Sequence, residues 1–363
     1  MATKYGIISS KQAQSERVTT IGVAEVNADI MEATRLHSEQ LSILLATTCQ
    51  KVTDHQINFK QVSSKTLQPI DEWGNPQPTQ ELGNYSVAFP IFMGGDAFGT
   101  NRISRAKMTV ADVNRQLDSS LRADVDWMRR HLLAAWFTNN TYTFTDDLWG
   151  ALTIQPLALA SDNVTYVMRG GSVATDTHHI AQANAISDAD NPFGTIYNEL
   201  DEHVGNSGPY VAYIPSANVA AVEALTDLIE PDDPSLIISE NNTRLRIGVN
   251  PDISEYDQGP VLFGEKYLGR VNGVHCVKWA SLPDDYIPFQ SIGAGPFMGW
   301  REEPEAELQG FFAEIDPGDG NVLVKRFIRR CGFGVMNRVA AGVMRVGNGS
   351  YAEPTGYTAP LAR

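Results

Sequence analysis

The chain has 363 residues, 42% of them hydrophobic and 20% charged, which allows two or three compact regions with a sizeable core and excludes a disordered chain. Its 28 Lys and Arg against 43 Asp and Glu give a net charge of -15; phosphate affinity comes from clustered cations, so avid nucleic-acid binding is excluded, while an acidic wall held off packed DNA by repulsion is not. Three scattered cysteines, Cys49, Cys276 and Cys331, provide neither a disulfide framework nor zinc-ligand spacing, and no apolar run approaches the roughly 20 residues of a membrane span. With no apolar leader in the first residues, the expectation is a soluble chain made in a reducing compartment.

In chain order, residues 1–26 are polar and extended in character, an arm. Asp29 and Glu32 have the spacing of a capping box, and Ile30, Ala33, Leu36, Leu41, Leu44 and Leu45 follow helical spacing, which predicts a first helix ending near Cys49. Next comes a spur from Ile57 to Met93. Ile57 and Phe59 alternate with polar residues, as do Tyr85, Val87, Phe89 and Ile91, and Asp71 to Pro78 is a strong turn. Each arm of such a ribbon reaches roughly 50 Å at about 3.3 Å per residue. A two-stranded ribbon is marginal alone, so this one is expected to be ordered only when docked on another surface.

Thr109 with Asp112 is a second capping box, followed by one apolar face through Val110, Val113, Leu117, Leu121, Met128, Leu132 and Ala135. The predicted helix, Thr109 to Thr138, is a rod of about 45 Å. Strands are expected at Leu152–Leu159 and Thr165–Met168, with a turn at Gly170-Gly171. A helix over Thr195–Val204, a buried strand over Tyr210–Ile214 and a helix from Ser216 to Leu228 follow. Later strands are expected at Arg244–Val249, around an Asn272-Gly273 hairpin, and at Asn321–Arg330 and Val339–Val346. No internal repeat is present. The block from about Thr195 to Ile315 reads as an α/β lobe inserted into another region.

Several short constellations invite a chemical reading. Asp176-Thr177-His178-His179 offers zinc-type ligands, but adjacent side chains on a strand point opposite ways, so one ion does not easily take both histidines. A polar loop is the default reading. Asp188-Ala189-Asp190 with Glu199 echoes a calcium loop only loosely, because Pro192 and Phe193 occupy the wrong places. Gly293-Ala294-Gly295-Pro296-Phe297 lacks the Lys-Ser/Thr ending of a phosphate loop. Lys325, Arg326, Arg329 and Arg330 form the densest basic patch, and Glu302, Glu303 and Glu305 an acidic one. Together they are expected to make charge pairs between subunits, with reversal at Arg329 sparing the fold. Trp73, at the spur tip, is a candidate contact residue, since Trp is enriched at interface hot spots.

The order of arm, helix, long extended loop, long helix, strands, inserted lobe and returning strands resembles the major capsid proteins of tailed bacteriophages, the Hong-Kong-97-type fold. Val271 to His275, Ser281 to Asp284, Gly295-Pro296-Phe297 and Phe333 to Val346 are similar in character to such proteins. The resemblance implies an α+β capsid fold with an N-terminal arm (1–26), first helix (27–50), extended β-hairpin loop (51–107), spine helix (108–140), peripheral domain (141–194 with 316–350), inserted axial α/β domain (195–315) and C-terminal tail (351–363). Because some members join subunits through a Lys–Asn isopeptide bond, it offers Lys60 and Lys65 with Asn337 as positions for one. It further implies a virion shell protein made in the host bacterial cytoplasm, self-assembling as pentamers and hexamers around double-stranded DNA. Scaffold, portal and decoration proteins are implied partners, with no membrane, cofactor or catalysis. The alternatives are an encapsulin-like compartment shell on the same fold and, from another class, a metal-dependent enzyme built on His178 and His179.

Overall fold

The computed structural model describes residues 16–60, 70, 72–74, 84–229, 266–316 and 322–361. Its elements run in the order α1 (Val18–Ile21), α2 (Val23–Leu45), β1 (Cys49–Val52), β2 (Gln56–Lys60), β3 (Asn84–Ala88), β4 (Phe92–Asn101), α3 (Arg102–Lys107) and α4 (Val110–Phe137). Then come β5 (Tyr142–Asp146), β6 (Gly150–Ile154), β7 (Tyr166–Val167), β8 (Val173–Ala174), β9 (His179–Gln182), α5 (Pro192–Asp201), β10 (Tyr210–Ile214) and α6 (Val219–Glu223). The chain continues through β11 (Lys266–Val271), β12 (Val274–Lys278), β13 (Tyr286–Ser291), β14 (Met298–Glu302), β15 (Phe311–Asp316), β16 (Val322–Val335) and β17 (Ala341–Val346). It divides into two compact units, one of residues 1–43, 91–129 and 302–331, the other of 44–90, 130–301 and 332–363.

In the first unit, β16 is flanked by β4 and β15, antiparallel to both, with Phe327 opposite Asp96 and Ala313. The buried face of α2 (Val26, Ile30) and the start of α4 (Val113, Leu117) meet Phe311 and Phe327 of these strands in one apolar cluster. The predicted capping box opens α4: the Asp112 amide donates to Thr109 Oγ1 at 3.3 Å and the Thr109 amide to Asp112 Oδ2 at 3.1 Å. The other capping-box expectation is overturned. Helix α2 begins at Val23, after Gly22 at φ 119 stops α1, so Asp29 lies inside it and the segment from Val18 on is helical rather than an extended arm. Leu36, expected on the buried face, is exposed, because the buried stripe runs through Val26, Ile30 and Thr34.

The second unit contains a six-stranded sheet in the order β11-β12-β10-β13-β17-β9. Pairs β10–β12 and β17–β9 are parallel, and the rest are antiparallel. All five residues of β10 and all six of β13 are buried, as continuous apolar runs require of strands covered on both faces. Phe193, Ile196 and Leu200 of α5 fall at helical spacing and enter the same core as Val274, Ile287, Phe289 and Met344. Asn191 caps α5, accepting from the Phe193 amide at 3.0 Å. At the predicted hairpin, Asn272 (φ 48) and Gly273 (φ 87) take the two left-handed positions that a tight β11–β12 turn needs.

The predicted helix at Ser216–Leu228 shrinks to a 3-10 turn and the five-residue α6, and the strand expected at Arg244–Val249 lies outside the described residues. Strand β4 went unread, because Gly94, Gly95 and Gly99 dilute its apolar pattern. Gly94 is there because the Trp127 ring stands 2.8 Å from where a Cβ would be.

Candidate functional site

The base of the spur is present as predicted. Strands β2 and β3 pair antiparallel, Ile57 opposite Val87 and Phe59 opposite Tyr85, with the last two rings stacked at 5.3 Å. Cross-strand aromatic pairs of this kind hold a two-stranded ribbon in register. Where the chain is described again it is outward-facing: Ile70 is 62% and Trp73 86% exposed. Lys60 ends β2, while Lys65 and most of the Asp71–Pro78 turn lie outside the described residues. Asn337, the remaining position offered for a crosslink, is half-buried, and its side-chain oxygen accepts from the Val339 amide at 3.4 Å. The other strongly exposed apolar side chains in this unit include Leu148 and Trp149, the latter stacked on His55 at 4.1 Å.

The basic patch is not where charge patterning put it. Alternation along β16 sends Arg329 inward, where it is 1% exposed. Its Nε and Nη2 donate to the two oxygens of Asp124 at 2.6 and 2.7 Å, a bidentate pair, and Glu302 lies 3.7 Å from it. His37 Nε2 donates to the same Asp124 carboxylate at 2.9 Å. Burial alone raises the Asp124 pKa, but the Arg329 charge and these hydrogen bonds outweigh it and hold the carboxyl below its ordinary value. Arg330 pairs with Glu303 at 2.8 Å in the same chain. The expected inter-subunit role of Arg329 and Glu302 is therefore corrected: both are spent inside one unit. Arg326 stays exposed, across from Glu314 in the β15–β16 register.

The second polar cluster is one the sequence showed only in half. Asp176 and His178, two apart on the extended approach to β9, face the same way. His179 turns the other way, and its Nε2 donates to the Trp136 carbonyl at 3.2 Å. The pairing of His178 with His179 is thus overturned by strand alternation, and the second histidine is His203, just past the end of α5. Asp176 Oδ2, His178 Nε2 and His203 Nε2 form a triangle with edges of 3.0, 2.9 and 2.8 Å. Glu199, Glu202 and His203 stand at i, i+3 and i+4, the spacing that shares a helix face. Ligand atoms of Asp176, Glu199 and Glu202 all lie within 4.8 Å of one another. Burial, then the nearby Asp176 and Glu202 charges, push the Glu199 carboxyl up to about 8. Asp176 goes the other way: burial opposes its ionisation, but hydrogen bonds from the two imidazoles prevail and hold it far below the carboxylate range. The missed signal was Glu199-x-x-Glu202-His203 at a helix end, read with Asp176-x-His178.

The remaining candidates act as local structure. Asp188 Oδ1 accepts from the Thr226 amide at 2.8 Å, and Asp190 Oδ1 from the Asn184 side chain at 3.0 Å, so both serve loop conformation. Gly293 packs where a Cβ would strike Ser207 and Gly208, which explains glycine there by close backbone approach. Cys49, Cys276 and Cys331 are buried and are not joined in disulfides.

No family model matches the chain, and no curated protein matches it. Solved structures do. A chain from Mycobacterium phage Patience is 17% identical, with 99% of each chain covered and a TM-score of 0.68. A chain from the capsid structure of the Cyanophage P-SCSP1u is 11% identical, with 83% of this chain and 86% of that chain covered and a TM-score of 0.50. At such identities the likeness is one of fold, and the fold it shows is the α+β capsid fold of tailed-bacteriophage major capsid proteins.

Proposed function

We propose that this chain is a major capsid subunit, assembling as pentamers and hexamers into an icosahedral shell around double-stranded DNA. The observation that carries the reading is the fold likeness over 99% of the chain, joined to a ribbon whose described tip is solvent-facing. Residues 51–107 act as the extended loop on a neighbouring subunit, 108–140 as the spine, 141–194 with 316–350 as the peripheral domain and 195–315 as the axial domain. Shell formation is mass association: closed symmetry repeats a few interfaces many times. Those interfaces must be large, since ordering a ribbon costs about 1–2 kcal/mol of backbone entropy per residue. An acidic chain suits the inner surface, which must confine DNA without binding it tightly.

Contact roles fall to exposed side chains. Trp73 is the first choice and Arg326 the second; from the sequence alone, Lys60 and Lys65 are proposed as further contact positions. Portal, scaffold and decoration proteins are the expected partners, the virion is the expected location, and no catalysis is assigned. Electron microscopy of particles from the full chain tests the reading. Closed icosahedral shells built of pentamers and hexamers support it, and a stable monomer contradicts it. Virions that carry the chain in a DNA-filled shell with a portal vertex separate it from a compartment protein.

A further inference from the structure

We propose that Asp176, His178 and His203 bind a divalent transition metal of the zinc class, with Glu199 or Glu202 as an additional oxygen ligand. Convergence makes the first argument. His178 Nδ1 donates to the Ala341 carbonyl oxygen at 2.8 Å, which turns Nε2 toward the cluster. There Nε2 lies 3.0 Å from Asp176 Oδ2 and 2.9 Å from His203 Nε2, and His203 Nε2 lies 2.8 Å from the same oxygen. Both imidazoles are buried, so three ligand-type atoms meet at one enclosed point. One positive centre among them satisfies all three.

Charge makes the second argument. Three carboxylates converge here, and among the described residues no Lys or Arg side chain pairs with Asp176, Glu199 or Glu202. The cluster also sits at the end of the ten-residue α5, whose last turn has no basic residue and whose carbonyls add negative potential. A divalent ion at the triangle meets the negative potential of these groups.

Geometry makes the third. Metal–ligand bonds of about 2.0–2.1 Å span roughly 2.9 Å between neighbouring ligands of an octahedron and roughly 3.4 Å in a tetrahedron. The observed edges of 2.8–3.0 Å match an octahedral face and reach a tetrahedral one by small side-chain shifts. Two imidazoles with carboxylates favour zinc, manganese, iron or nickel over calcium. The bond from His178 Nδ1–H to a backbone carbonyl is the support that metal-bound histidines usually have. The ion would tie the end of α5 to the segment entering β9, a structural clip within the second unit.

The test uses the full chain, assembled or not, so its outcome is independent of the shell assignment. Protein is stripped with a chelator, desalted, offered one equivalent of Zn2+ or Co2+ and desalted again. Metal content is then measured by mass spectrometry, and Co2+ geometry by visible d–d absorption. Wild type is expected to keep about one ion per chain with a Co2+ spectrum of nitrogen–oxygen ligation, and H203Q and D176N to keep less than about a tenth as much. Zn2+ should raise the Tm of wild type and leave that of H203Q unchanged. If stripped wild type keeps no ion, a proton holds the triangle and the proposal fails. It also fails if wild type and H203Q retain metal equally, since the ions are then bound at the surface. Wild-type retention and its spectrum decide the matter even if a variant does not fold.

Discussion

The six-stranded sheet and the β2–β3 ribbon use similar residues and are enclosed to different degrees. In the sheet, β10 and β13 are buried along their whole length, with Tyr213, Trp279 and Phe289 among the fully enclosed side chains. The ribbon has one neighbouring strand per strand and leads out to an 86% exposed Trp73. Apolar burial is the main driving force of folding, and the sheet obtains it inside its own unit. The ribbon obtains it only at its base, where Val87 and Ala88 are buried and Ala88 packs with Leu152 and Ile154, while Phe59 and Tyr85 stay half-exposed. The difference teaches where stability and assembly should separate: substitutions at enclosed positions act on the chain, and those at the ribbon act on the particle.

The largest effect should come from Arg329, whose place in the buried pair makes it an enclosed residue despite its charge. Arg329→Ala leaves Asp124 buried and unpaired, and denaturant unfolding of the unassembled chain should show a loss of about 3–5 kcal/mol. An unchanged midpoint would mean that the charges of β16 face outward after all. The same pair sets an acid limit. Asp124 has its pKa lowered in the folded chain, so the stability it contributes is present above the unfolded value of 3.8 and is lost as pH falls through the lower folded value. Acid titration of stability should therefore be shallower in Asp124→Asn than in wild type, in a background already destabilised.

Smaller effects sharpen the contrast. Asn101 Oδ1 accepts from the amides of Ile103 and Ser104 at 3.0 and 2.7 Å, so Asn101→Ala should cost about 1 kcal/mol of chain stability. A cost below a few tenths, by the same unfolding measurement, would show that α3 owes nothing to its cap. Trp73→Ala should change chain stability by less than about 0.5 kcal/mol, as exposed substitutions do. Particle yield should nevertheless fall clearly if Trp73 is an interface anchor. Loss of chain stability with normal particle yield would place the indole back on its own ribbon.

Much of the architecture was readable because periodicity and capping are local. The α4 box at Thr109 and Asp112, the buried run Tyr210–Ile214 and the Asn272-Gly273 turn each carry their signal within a few residues. What failed to read depends on partners distant in sequence. Strand β4 is glycine-rich because Trp127 and the Phe327 backbone press on it, and neither is visible from its own residues. Arg329 looked like part of a surface patch until Asp124, 205 positions away, accounted for it. The histidine cluster was half legible: alternation paired Asp176 with His178, but His203 arrives through the fold.

The central claim is that the ribbon completes itself on another copy of the chain, and hydrogen exchange across residues 56–60 and 84–86, beyond its buried base, tests it most directly. The account predicts fast exchange in the isolated chain and strong protection in assembled particles. Equal protection in a dilute monomer would contradict it.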